Sequence, residues 1–186
     1  MQSKVISVLL CTGAAIASQG AFAADGLITF TGNVTAQTCT ISGNGTGSKG
    51  FTVALPSVQA SALPSTGSTA GATPFSINLT NCVSKSDADA VKAVHAYFES
   101  GPTIDTETGN LILAKGGAAG VEIQLLNAAD QSAIKLGQPD ASQNSKAVSV
   151  NADGTATLRF YAQYYATGTV TPGSATSNVM YTIAYE

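Results

Sequence analysis

Few side chains in this 186-residue chain could carry covalent or metal chemistry. There is one histidine, His95, one arginine, Arg159, and three cysteines, Cys11, Cys39 and Cys82. A Ser-His-Asp arrangement would need His95 beside both partners, and the sequence has no nucleophile elbow to present the serine. Val94 and Ala96 flank His95 in an alternating run, which makes it a surface or partly satisfied histidine. One histidine and two cysteines do not supply a four-ligand zinc site. Asp105-Thr106-Glu107-Thr108-Gly109-Asn110 clusters oxygen ligands without the spacing of an EF-hand loop, and it reads as a polar turn. Asp87-Ala88-Asp89 reads as a solvated loop. No catalytic, cofactor or metal residue is expected, and an enzyme is not expected.

The cysteines make sense in an exported chain. Lys4, the apolar run Val5 to Ala17, and Ala21-Phe22-Ala23 have the order of a secretory signal over residues 1–23. The apolar run is too short to span a membrane. Cys11 follows Leu10, where lipid-modification signals carry a small residue, so it leaves with the signal. Cys39 and Cys82 remain, and an even pair in an oxidising compartment reads as one disulfide. Closing that loop is worth about 4 kcal/mol in the chain-entropy account.

Composition narrows the partners. Charged residues are 10% of the chain, well under the usual quarter, and the formal net charge is −3. With no basic patch, nucleic acid and anionic membrane are poor partners. A bland surface rich in Thr, Ser, Ala, Asn and Gly suits packing among copies of the same chain.

The elements that must position everything else are strands. Gly26, Ile28, Phe30, Gly32 and Val34 share one face of a strand directly behind the export signal. The same period of two runs through Phe75, Ile77 and Leu79; Val94, Ala96 and Phe98; Val121, Ile123 and Leu125; Leu158, Phe160, Ala162 and Tyr164; and Val179, Tyr181, Ile183 and Tyr185. Between them lie turn signals such as Gly43-Asn44-Gly45, Thr108-Gly109-Asn110, Asp153-Gly154 and Pro172-Gly173. Ser61 to Thr73 reads as a loop with no core of its own. Short strands at this spacing predict an antiparallel β-sandwich of one domain. The first and last strands carry neither charge nor proline as edge protection, so they pair internally or with a neighbour.

Several of these segments, in order, resemble the chaperone–usher pilus (fimbrial) subunits and are similar to the type 1 fimbrial major subunit. They are GLITFTGNVTAQTC from Gly26; VALPSV, Val53 to Val58, with Pro56 where the family has glycine; FSINLTNC, Phe75 to Cys82; GVEIQLLN, Gly120 to Asn127; and an ending with Phe160-Tyr161-Ala162, Pro172-Gly173 and the penultimate Tyr185. The resemblance implies an all-β, incomplete immunoglobulin-like β-sandwich, residues 36–186, completed by a donor strand from another subunit. It implies that residues 24–35 are that donor strand, with Gly26, Ile28, Phe30, Gly32 and Val34 on its inserting face. Gly32 would be the small position at which an incoming strand replaces the chaperone without a clash; a bulge is the plainer reading of that glycine. Val179, Tyr181, Ile183 and Tyr185 would form the C-terminal strand beside the groove, the edge used by a periplasmic pilus chaperone.

The implied function is structural. Subunits exported through the periplasm to the cell surface would polymerise head to tail at an outer-membrane usher, forming a fimbria used in cell adhesion. Identical or related pilin subunits are the implied partners, with a host-cell receptor reached through the fibre. A minor adaptor or terminator pilin, or a fimbrial adhesin, is the alternative. Family adhesins, however, carry an added lectin domain and lack the donor extension.

Overall fold

A computed structural model describes residues 39–82 and 91–186. The expected signal, the donor-strand residues Gly26, Ile28, Phe30, Gly32 and Val34, and Asp87 to Asp89 lie outside the described residues. Within them the chain forms β1 (Thr40–Gly43), β2 (Thr69–Thr80), β3 (Ala93–Phe98), β4 (Ile104–Asp105), β5 (Asn110–Leu111), β6 (Ala119–Asn127), β7 (Val148–Ser149), β8 (Ala156–Thr171) and β9 (Tyr181–Tyr185). Single 3-10 turns at Ala60–Ala62 and Asp140–Ser142 are the helical elements among the described residues.

Two antiparallel sheets result, as the alternating runs predict. One has the order β1-β2-β8-β6-β5-β4 and the other β7-β3-β9. The apolar sides of the alternating strands form the shared core. Ile77 and Leu79 of β2, Leu158 and Phe160 of β8, and Val94 and Phe98 of β3 are all buried. Rings lock the layers together: Phe160 stands edge-on to Phe98 at 5.6 Å and tilts against Phe75 at 5.3 Å. Burying such side chains contributes about 1.5–3 kcal/mol each.

The β1–β2 register sets Thr40 opposite Thr80, which brings Cys39 and Cys82 together. They form the expected disulfide, with Cα atoms 4.3 Å apart.

Two differences from the alternation are informative. The reading of Ser61 to Thr73 as a loop is corrected: Thr69 to Thr73 begin β2, and Leu63 is only 4% exposed. That part of β2 has no large apolar side chain to mark it. It is held by the unusually long β8, Thr69 pairing with Tyr165 and Ala70 with Tyr164. A register shift follows at Gly71, whose φ is +70°. A Cβ there would press on the Tyr164 ring at 3.1 Å and on Pro56 at 3.3 Å, so the site favours glycine on both counts.

The second difference is in β6, where the sequence shows polar residues alternating with apolar ones, yet Glu122 is buried. Thr108 donates its hydroxyl to Glu122 Oε2 at 2.7 Å, and Asn110 Nδ2 donates to the same oxygen at 3.2 Å. The expected polar turn at Asp105 to Asn110 thus folds over the outer face of β6 and satisfies a carboxylate there.

Candidate functional site: a groove between two unpaired walls

Residues 50–58 run extended, with Phe51, Val53, Leu55 and Val58 half-buried and Thr52, Ala54 and Pro56 exposed. This is the side-chain rhythm of a strand. Yet among the described residues no backbone hydrogen bond joins these positions to another segment. This wall is the VALPSV segment with Phe51 ahead of it.

The facing wall is the chain's last stretch. The sheet pairing of β9 begins at Tyr181, two residues after the sequence pattern starts, but the extended rhythm reaches back to Ala175. Ala175, Ser177, Val179 and Tyr181 are half-buried, whereas Thr176, Asn178 and Met180 are exposed. Even-numbered carbonyls are taken up on one side. Ser174 O accepts from Ala118 N, Thr176 O from Ala114 N, Asn178 O from the Thr103 hydroxyl and Met180 O from Glu99 N. Glu186 and Ala93 exchange both backbone bonds at the far end.

Backbone groups of alternate residues point to opposite edges. Those of Ala175, Ser177, Val179, Tyr181, Ile183 and Tyr185 therefore face away from β3, toward the groove. Among the described residues β9 is an edge strand, with β3 on one side only.

Between the walls lies apolar space. A cavity of about 350 Å³ is floored by Phe75 and Ile77 of β2, Ile123 and Leu125 of β6, and Phe98 of β3, with Phe51 and Val179 on its two sides. A second, of about 360 Å³, continues past Leu55 to Val58, Leu63, Val121, Tyr164 and Ala175. Leu55 borders both, so the two form one groove.

Of the C-terminal residues singled out in the sequence, Val179 and Tyr181 line the first cavity. Ile183 is buried in the core, and the Tyr185 hydroxyl accepts from Cys39 N at 3.3 Å beside the disulfide. All four share one face. The floor residues and the wall at Phe51 were not visible as a site in the sequence, because nothing local distinguishes a half-covered core from a finished one.

His95 is half-buried on β3, with Nε2 2.9 Å from Asp140 Oδ1. No group of three or more metal-ligating side chains converges among the described residues. At Asp105 to Asn110, Asp105 Oδ1 instead accepts the backbone N–H of Glu107 and of Thr108, and these bonds hold its carboxyl below the usual range.

Comparison with known proteins agrees with this architecture. The family model of the type-1 fimbrial protein, A, matches residues 55–186. The chain is 48% identical to the F17 fimbrial protein of Escherichia coli, over 97% of this chain and 98% of that one. It is 46% identical to the major fimbrial subunit SMF-1 of Stenotrophomonas maltophilia, over 92% and 98%. In fold it is similar to a chain of a chaperone–usher pilus, with a TM-score of 0.61 at 21% identity over 88% of this chain and 96% of that one. The P pilus rod subunit PapA gives a TM-score of 0.59 at 19% identity, over 80% and 99%. The chain belongs to the type-1 fimbrial protein family and is a structural fimbrial subunit.

Proposed function

We propose that the groove between residues 50–58 and 175–185 is a strand-acceptor site, and that its occupant in the fibre is the segment 24–35 of a neighbouring copy. What supports this reading is that, among the described residues, two extended edges without a backbone partner on the groove side flank an apolar floor. A β-strand added there would satisfy both edges at once and cover the half-buried side chains, the mode of recognition by strand addition. Gly26 to Thr35 spans about 33 Å when extended, close to the length of the edge from Ala175 to Tyr185. Ile28, Phe30 and Val34 would each contribute about 1.5–3 kcal/mol on burial.

Such a contact is head to tail and does not close, so it propagates a filament. Before assembly the same groove would be held by a periplasmic chaperone along the Val179, Tyr181, Ile183 and Tyr185 edge. An outer-membrane usher would exchange that chaperone for the next subunit, and the fibre would present itself at the cell surface for adhesion.

The test is deletion of residues 24–35, with the signal retained, in cells producing the chaperone and the usher. Subunits should accumulate in the periplasm while electron microscopy shows no fibres. Long fibres from the deleted chain would overturn the proposal.

A further inference from the structure

Glutamine side chains are mostly exposed, yet Gln143 is fully buried, and both ends of its amide are used on one residue. Its Oε1 accepts from Phe98 N at 2.8 Å, and its Nε2 donates to Phe98 O at 2.9 Å. A longer bond from Nε2 reaches Gln138 O at 3.4 Å. Gln143 thus offers Phe98 one donor and one acceptor, as a residue of a paired strand does.

Phe98 needs that partner because of how β3 is bordered. Odd-numbered residues along β3 and just past it bond toward β9: Ala93 exchanges both bonds with Glu186, and Glu99 N donates to Met180 O. The backbone groups of Val94, Ala96 and Phe98 therefore face the opposite edge. There β7 pairs with Ala93 and Val94 and goes no further. Past its end, the groups of Phe98 are met by a side chain rather than by a strand.

The loop that carries Gln143 is also tied to the other sheet. Asn144, next in the chain and at φ +64°, offers its carbonyl to Asn127 Nδ2 at 2.8 Å. Asn127 closes β6 and is buried, and its Oδ1 accepts from Lys146 N at 3.0 Å. Two consecutive residues thus reach β3 of one sheet and β6 of the other.

We propose that Gln143 is a positioning residue for strand capture: it stands in for the strand that β3 lacks, and so fixes Phe98 beneath the groove. The Phe98 ring lies on the floor of the first cavity, edge-on to Phe160, and its register partner in β9 is Tyr181 of the wall. Gln143 lines neither cavity, so it acts through Phe98. The role rests on the reading of the groove as a strand-acceptor site.

Volume alone does not do this. An apolar side chain of similar size fills the space but leaves the N–H and C=O of Phe98 buried and unpaired, and each then costs its full desolvation. A shift of Phe98 toward water relieves that cost. The same shift carries its ring off the floor and loosens the seat of Tyr181.

The test uses the full chain in complex with its periplasmic chaperone, challenged with a labelled synthetic peptide of residues 24–35. Release of the captured peptide is then followed in an excess of unlabelled peptide. Q143M should release it about tenfold faster than wild type, because the two Phe98 groups are left unpaired. Ile134 is buried in the core outside both cavities. I134V lowers stability by an ordinary core truncation and should change release by less than about twofold. Equal release by Q143M and wild type, or an effect of I134V as large as that of Q143M, overturns the positioning role.

Q143E supplies a rescue and serves if Q143M does not fold. Burial favours the neutral carboxyl, and in that form it has one donor and one acceptor, as the amide has toward Phe98. Relative to wild type at the same pH, release by Q143E should be fast at about pH 8 and return toward the wild-type rate at about pH 5. A ratio that stays constant with pH overturns the proposal. Failure of the wild-type complex to take up the peptide would strike the strand-acceptor reading itself. Normal uptake with unchanged release in the variants would strike only the role of Gln143.

Discussion

The Tyr181 hydroxyl donates to the main-chain oxygen of Lys49 at 2.7 Å, and this bond ties the two walls of the groove together at one end. Its ring also stands edge-on to Phe51 at 6.4 Å. The residue that opens the last strand thus touches the residues that open the facing wall. Elsewhere along the groove the walls are separated by apolar space.

Tyr181→Phe removes that bond and keeps the ring. The bond is exposed, so the expected loss is at the low end of the range for a hydrogen bond, about 0.5–1 kcal/mol. Thermal unfolding should show a Tm lower by about 1–4 °C. Burial raises the Tyr181 hydroxyl above the ordinary tyrosine pKa of 10.0, and Tyr164 is raised for the same reason. A phenol that keeps its proton longer when folded stabilises below the unfolded value and loses that contribution as pH rises past it. Part of the alkaline loss of stability above pH 10 should accordingly be missing in Tyr181→Phe. Equal alkaline limbs in both proteins would count against the assignment.

Three aspartates should set the acid limb. Asp105 is lowered by the backbone N–H groups of Glu107 and Thr108, Asp130 by the hydroxyl and then the backbone of Ser132, and Asp153 by the hydroxyl and then the backbone of Thr155. Each is a turn in which the ionised carboxylate accepts two bonds. A depressed carboxyl contributes stability above its unfolded pKa and loses it as pH falls through the folded one. The loss belongs below about pH 4. An Asp105→Asn, Asp130→Asn, Asp153→Asn chain keeps the acceptor oxygens, and its Tm should fall less steeply between pH 4 and 2 than that of wild type. Parallel acid limbs would refute the assignment.

Removing the disulfide should cost more than any of these. Cys39 and Cys82 are 43 positions apart, and the chain-entropy account gives about 4 kcal/mol for that closure. Replacing both by serine should lower the urea midpoint sharply and leave the urea dependence steeper, since the unfolded chain is then freer to expand. A midpoint within error of the oxidised protein would show that the tie adds nothing.

What could be read along the chain was whatever a single strand writes into its own side chains. Phe75 to Leu79, Val94 to Phe98, Leu158 to Tyr164 and Tyr181 to Tyr185 alternate because each has one face on the core, and all four lie in observed strands. The cysteine pair and the turns at Asn44, Gly109 and Gly154, each with positive φ, were legible for the same local reason.

Other features depended on partners distant in sequence. Thr69 to Thr73 is a strand only because β8 runs far enough to pair with it, and the two-residue strands β4, β5 and β7 exist only as pairings. Glu122 reads as a surface acid until the hairpin through Thr108 and Asn110 covers it.

The sequence by itself determined the sandwich, through its apolar alternation, and the disulfide, through an even pair of cysteines behind an export signal. Only the packed structure decided that the walls at Phe51 and Val179 stand apart over a shared apolar floor. How segments more than a hundred residues apart are placed against a common core leaves no mark on either one's local pattern.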